Sequence, residues 1–299
     1  MVRSSIAHGA PVWHVPGESP AKGARGTAKN LQKHQQNCLR VVLGAFKSTA
    51  VTKLETESYV PPLDLWLNGR VACYQARLEL SGVGQQIRDA CATIRSRIRA
   101  RTQQRRYRTA SEPQAKTPRA KRRVWTERWT GGRIEDWDRR VKGKVLADWK
   151  DRWKAWRVKD GRPERGRRTP GTVPEATIDT TPTAQILKLH DGLQKAESSM
   201  LVQVRTGSIG LRKHLYRRRV PGFTTAQCPC GGGEETPRHM ALFCEQEASR
   251  RNRLRPASGR PVTYGWLTGS PKGAKVFSKW MIKSGRLGQF SLARQLLYG

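Results

Sequence analysis

Residues 228–244 read CPCGGGEETPRHMALFC, and this excursion of seventeen residues decides how the last third of the chain folds. Cys228, Cys230, His239 and Cys244 fall in the pattern C-x-C-x8-H-x4-C. Zinc takes four sulfur or nitrogen ligands in tetrahedral geometry, and a cysteine pair on a turn facing a helix-borne His and Cys meets that shape without a large core. Gly231, Gly232 and Gly233 let the backbone curl around an ion. Four protein ligands leave no open position, so the pattern implies a structural zinc and not a hydrolytic one. The competing reading is ordinary reduced cysteines beside a surface histidine; against it, half of the six cysteines share this window. The C-x-C spacing is less specific than C-x2-C, and a retroviral zinc knuckle is more tightly spaced between its second and third ligands.

Basic residues surround the excursion. Arg205, Arg212, Lys213, Arg217, Arg218 and Arg219 precede it, and Arg238, Arg250, Arg251, Arg253 and Arg255 accompany or follow it. Guanidinium groups present a planar donor fork suited to phosphate, and neutralising phosphates releases counterions, so these are candidate nucleic-acid contacts. The alternative is a solvated basic face with no ligand. The whole chain leans the same way: 58 Lys and Arg against 23 Asp and Glu give +35 over 299 residues. A chain so cationic repels itself unless an anionic partner lies beside it, and RNA or DNA is the expected partner.

Hydrophobic residues make up 36%, below the roughly 45–50% of an ordinary globular domain, so two small cores with some unfolded chain are expected. No apolar run approaches the roughly 20 residues that span a bilayer, and the N-terminus lacks the apolar core of a secretory signal. The expectation is an intracellular protein with no membrane partner, in the nucleus or in a cytoplasmic ribonucleoprotein. Cys38, Cys73 and Cys91 stand alone on helical patterns and read as small buried residues.

The pattern is mainly α. Residues 1–28 form an irregular lead-in in which Val12 and Trp13 could pack on a neighbour. Residues 29–90 form a small helical domain. Within it, Leu31, Cys38, Val41, Val42 and Ala45 suggest one buried face of a helix over 27–47. A second helix should run from near Ala50 to Ser58, stopped by Pro61-Pro62, and a third from Leu63 to the Gly82-Val83-Gly84 break. Residues 91–183 form a basic middle region, partly disordered. Residues 88–170 alone carry 28 Lys and Arg against 10 Asp and Glu. There, 95–123 reads as a tether and 124–158 as a helix with six tryptophans, among them Trp149, Trp153 and Trp156 on one stripe. That stripe is core packing or a base-stacking platform. Glu135, Asp136 and Asp138 read as ion-pair partners, and 161–183 as a linker. Residues 184–299 form a small C-terminal helical module around the CCHC pattern, ending in an amphipathic stretch from Lys272 to Tyr298.

Two stretches carry more than composition. Residues 31–80, LQKHQQNCLRVVLGAFKSTAVTKLETESYVPPLDLWLNGRVACYQARLEL, with GAPVWH at 9–14, resemble the segment that follows the polymerase domain in non-LTR (LINE-type) retrotransposon reverse transcriptases. Residues 190–244 resemble the C-terminal module of the same elements, particularly fungal ones, whose CCHC ligands fall on Cys228, Cys230, His239 and Cys244. The resemblance covers about half of the chain. It implies a portion of an RNA-directed DNA polymerase downstream of the catalytic domain, binding nucleic acid within a retroelement ribonucleoprotein. The family's polymerase uses an aspartate pair for two-metal chemistry, and no Asp-Asp dipeptide occurs here, so a non-catalytic fragment is expected. Rival readings are a degenerate ribonuclease H or polymerase remnant, and an interaction protein whose charge is incidental.

Overall fold

The computed structural model describes residues 9–14, 24–79, 81–108, 134–160, 181–255 and 261–299. Among these, helices dominate and no strand occurs; Gln227 and Glu234 form one isolated antiparallel bridge. The helices are α1 (Ala24–Leu43), α2 (Val51–Ser58), α3 (Leu63–Glu79), α4 (Gly82–Arg108), α5 (Ile134–Asp160), α6 (Lys195–Thr206), α7 (Arg212–Arg217), α8 (Pro237–Leu242), α9 (Tyr264–Gly269), α10 (Pro271–Lys283) and α11 (Ser291–Tyr298), with a turn at Ala10–Trp13 and a 3-10 helix at Ala184–His190. No helix among the described residues is long and apolar enough to cross a membrane. The expected linker over 161–180, the tether over 109–123, and Trp125 and Trp129 lie outside the described residues.

The chain divides into two compact units that are discontinuous in sequence: residues 1–33 with 62–148, and residues 34–61 with 149–299. In the first unit, Ala10 and Ala28 pack with Leu63 and Leu67 of α3, and Trp13 and Trp66 close over them. The irregular lead-in thus contains a helical turn that docks: buried His14 and Asn68 share a 2.7 Å hydrogen bond. Gly69 admits α5 closely, since a Cβ there would meet Val145 at 3.0 Å. On α5, Asp138 pairs with Lys142 at 2.6 Å, as the charge pattern suggested.

Two expectations about faces and ends are corrected. The buried face of α1 carries Ala28, Gln35 and Leu39, while Cys38 is exposed and Val41 and Val42 are 78% and 62% exposed. Gln35 is buried because its amide donates to the Pro61 carbonyl at 3.3 Å, so a polar residue holds the position an apolar count passes over. Residues 95–108, read as tether, continue α4: the run from Gly82 contains no proline before Pro113, and Arg and Gln are good helix formers. The final amphipathic stretch is two helices, broken where Gly285 takes φ 73°.

The second unit is built on α6 and α10, whose Met200, Val204, Phe277 and Met281 share a core with Met240, Leu254 and Leu267. Residues 44–61 are pinned to α6. Gly44 adopts φ 61° and lies so close that a Cβ would meet the Ser199 hydroxyl oxygen at 2.4 Å. Its carbonyl accepts from the Gln203 amide at 2.8 Å, and the Lys53 ammonium donates to the Thr206 carbonyl at 2.9 Å. Glu57 and Arg205 close the contact as a buried ion pair at 2.7 Å, Arg205 donating also to the Thr268 carbonyl. Burial pushes the Glu57 carboxyl above its usual range, and Arg205 opposes that push. Removing one partner strands the other charge: Glu57→Gln should cost roughly 3–5 kcal/mol of stability, read from the urea midpoint, with Glu57→Met/Arg205→Met regaining much of it. A loss below roughly 1 kcal/mol for Glu57→Gln, the range of exposed pairs, would contradict this account.

Candidate metal centre

The cysteine excursion folds into two limbs. The first is a tight loop: the Cys228 amide donates to the Gly233 carbonyl at 2.7 Å, the Gly231 amide to the Cys228 carbonyl at 2.9 Å, and the Glu235 amide to the Ala226 carbonyl at 2.9 Å. Gly231 at φ 77° and Gly233 at φ 144° supply the left-handed backbone that the loop needs. The second limb is α8. Thr236 caps it by accepting from the His239 amide at 3.0 Å, and Pro237 occupies its first position, where a missing N–H costs nothing. The His239 carbonyl then takes the amides of both Phe243 and Cys244 at 2.8 Å, fixing the last ligand at the helix end. Met240 and Ala241 on the same helix are buried in the core, so one face of α8 holds the core and another the ligands.

Cys228, Cys230, His239 and Cys244 come together with their ligand atoms all within 4.8 Å of one another, and the group could hold a metal ion. Cys228, Cys244 and His239 are buried and Cys230 is half-buried. Bonds of about 2.3 Å from a tetrahedral ion to sulfur place two sulfurs about 3.8 Å apart. The Cys228 and Cys244 Sγ atoms are 3.8 Å apart, and Cys230 Sγ lies 3.1 Å from His239 Nε2.

The thiols are not equivalent. The Gly232 amide, donating to the Cys230 sulfur at 3.4 Å, is the main reason that its pKa falls to about 6, with His239 helping against some desolvation. Burial pushes Cys228 up to about 11. Beside the buried pair lies Arg286, which donates to Glu235 at 2.9 Å, to Glu247 at 3.0 Å and to Gln246 at 2.7 Å. Its terminal nitrogens reach Cys228 Sγ at 3.7 Å and Cys244 Sγ at 4.0 Å. Burial works against the charge of Arg286, but the two carboxylates outweigh it and hold the pKa above its ordinary value.

The structure sorts the candidate nucleic-acid contacts. Arg205 is 3% exposed and committed to Glu57, which removes it from the set. Arg212, Lys213, Arg250 and Arg251 are half-buried: the Arg212 amide donates to Glu235, Lys213 pairs with Glu234 at 2.9 Å, Arg250 pairs with Glu247 at 2.7 Å and lies over the Trp280 ring, and Arg251 donates to the Cys244 carbonyl. Arg217, Arg218, Arg219, Arg253 and Arg255 are exposed, Arg218 reaching the Ser48 carbonyl at 3.2 Å. The tryptophan stripe is packing: Trp149 is 2% and Trp153 6% exposed, Trp149 lies against Tyr59 with centroids 5.7 Å apart, and Trp156 is half-buried. Two buried tryptophans have no open face to offer a base. Sequence reasoning missed Glu235, Glu247 and Arg286. The available signal was a set of acids within and just after the ligand stretch of a basic chain, and nothing marked Arg286, fifty-eight positions from Cys228. No protein family, curated protein or solved structure matches the chain.

Reduced, chelator-stripped protein titrated with cobalt(II) should take up one equivalent, with the visible bands of a tetrahedral thiolate site. Cys228→Ser/Cys230→Ser should abolish them. A featureless spectrum in the parent, or equal bands in the double variant, would show that these residues do not ligate.

Proposed function

We propose that the chain is a non-catalytic, nucleic-acid-binding portion of a LINE-type reverse transcriptase, with zinc in the Cys228, Cys230, His239 and Cys244 group. Three sulfurs and one nitrogen gathered within 4.8 Å of one another suit zinc, and thiolate ligands disfavour the hard divalent cations. The observation that carries the binding role is the run of exposed Arg217, Arg218 and Arg219 on the unit that holds the metal ligands. Arg219 stands at φ 53°, an uncommon backbone state for a residue with a side chain, where the chain turns out of α7. These guanidiniums suit phosphate oxygens of RNA or DNA, giving affinity and position but no sequence reading. The resemblance of residues 31–80 and 190–244 supplies the biological setting, and the absence of an Asp-Asp pair in the sequence supports a holding role without nucleotidyl transfer.

Binding to unrelated single-stranded RNAs should weaken steeply with salt. Arg217→Glu/Arg218→Glu/Arg219→Glu should weaken it about equally for every sequence and flatten the log–log salt slope by roughly 2, at about 0.7 for each single-strand phosphate that is no longer neutralised. A parent affinity indifferent to salt, or weakening confined to one sequence, would refute phosphate-based gripping. Turnover of an RNA–DNA hybrid or of a primed template by the parent with Mg²⁺ would instead establish an enzyme.

A further inference from the structure

Arg286 has more acceptors than a bridging arginine needs. Its two carboxylate partners, Glu235 within the ligand stretch and Glu247 just after it, are buried, and each has a second donor of its own: the Arg212 amide for Glu235, the Arg250 guanidinium for Glu247. The guanidinium nevertheless sits so that its two terminal nitrogens fall against the two buried sulfurs, one on each. The half-buried Cys230 is served differently, by the Gly232 amide and His239.

The electrostatics explain the placement. Three thiolates and a neutral imidazole around a divalent ion leave one negative charge, and Glu235 and Glu247 add two more in the same interior. A buried anion without a counter-charge is costly, so the site needs cations at hydrogen-bonding distance. Arg250 answers Glu247 from one side, through Nη1 at 2.7 Å. Arg286 is the group that meets both carboxylates and both sulfurs, which demands a planar fork; a lysine ammonium is a point charge and cannot reach four acceptors at once. The backbone holds it there. Gly285 at φ 73° ends α10, and the Arg286 amide donates to the Ser284 hydroxyl at 3.2 Å, so the side chain is delivered from a helix whose Met281 and Ile282 are fully buried.

We propose that Arg286 belongs to the metal centre, as the cation that neutralises and orients the Cys228 and Cys244 thiolates and couples metal affinity to α10. This rests on the reading of the four ligands as a metal site. Residues that hydrogen-bond to metal ligands typically contribute about 10- to 100-fold in affinity, and a donor to a thiolate sulfur also lowers the energy of its lone pairs.

The test uses the full reduced chain and cobalt(II), comparing the parent with R286Q, R286K and R250Q. R250Q is the control, because it takes a guanidinium from the same Glu247 without touching a sulfur. R286Q should bind cobalt about 10- to 100-fold more weakly, and its thiolate-to-cobalt charge-transfer band should move to lower energy. R250Q should leave the band where it is in the parent, and R286K should fall between the parent and R286Q in affinity. If R286Q loses its helical circular dichroism, R286K is read in its place, with weaker binding and a shifted band expected. Parent-like affinity and band position in R286Q, or in R286K where it stands in, would overturn the role of Arg286 while leaving the four ligands intact. The same weakening and shift in R250Q would also overturn it, by showing a general effect of the carboxylate network. Failure of the parent to take up cobalt would overturn the metal reading itself, and the role of Arg286 with it.

Discussion

Acidic groups are scarce in this chain, and three of the buried ones, Glu57, Glu235 and Glu247, each hold an arginine inward. Glu57 takes Arg205; Glu235 and Glu247 take Arg286 and, for Glu247, Arg250 as well. A carboxylate cannot enter a low-dielectric interior alone, so these acids act as selectors among 58 cationic residues. Arg217 to Arg219 stay at the surface. One constraint thus marks out the structural guanidiniums within a single unit of the fold.

The same pairing explains why distant stretches of sequence share a unit. Gly44, Lys53 and Glu57 lie well over a hundred positions from Ser199, Gln203, Arg205 and Thr206, yet they meet through a close backbone approach, two backbone carbonyl contacts and the buried ion pair. In the first unit the His14 and Asn68 hydrogen bond plays a comparable part, tying the turn at Ala10–Trp13 to α3. Gly44 is required by contact and by conformation together, since a side chain there would strike Ser199 at an already unfavourable φ.

Much of this was legible in sequence where one local rule dominates. Pro61-Pro62 set the gap between α2 and α3, and the spacing of Cys228, Cys230, His239 and Cys244 pointed to the group that assembles. The misreadings share a cause. Counting apolar residues placed Cys38, Val41 and Val42 on the buried face of α1, whereas Gln35 is buried beside Leu39 because a carbonyl of Pro61 satisfies its amide. Counting charges placed Arg205 on the surface and left Arg286 unremarked, because pairing with an acid distant in sequence leaves no periodic trace. Residues 95–108 looked like a tether because their charge hid good helix formers.

At the candidate metal centre these threads meet: a glycine-built loop, a capped short helix and a guanidinium from the end of α10 converge on Cys228, Cys230, His239 and Cys244. Zinc there would let a small module hold its shape while its exposed arginines face a polyanion. X-ray absorption at the zinc edge, on the 299-residue chain purified under reducing conditions without chelator, tests this most directly. The account predicts one zinc per chain with three sulfur scatterers at about 2.3 Å and one nitrogen at about 2.0–2.1 Å. A shell of oxygen and nitrogen with fewer than three sulfurs, or protein that carries no zinc, would contradict it.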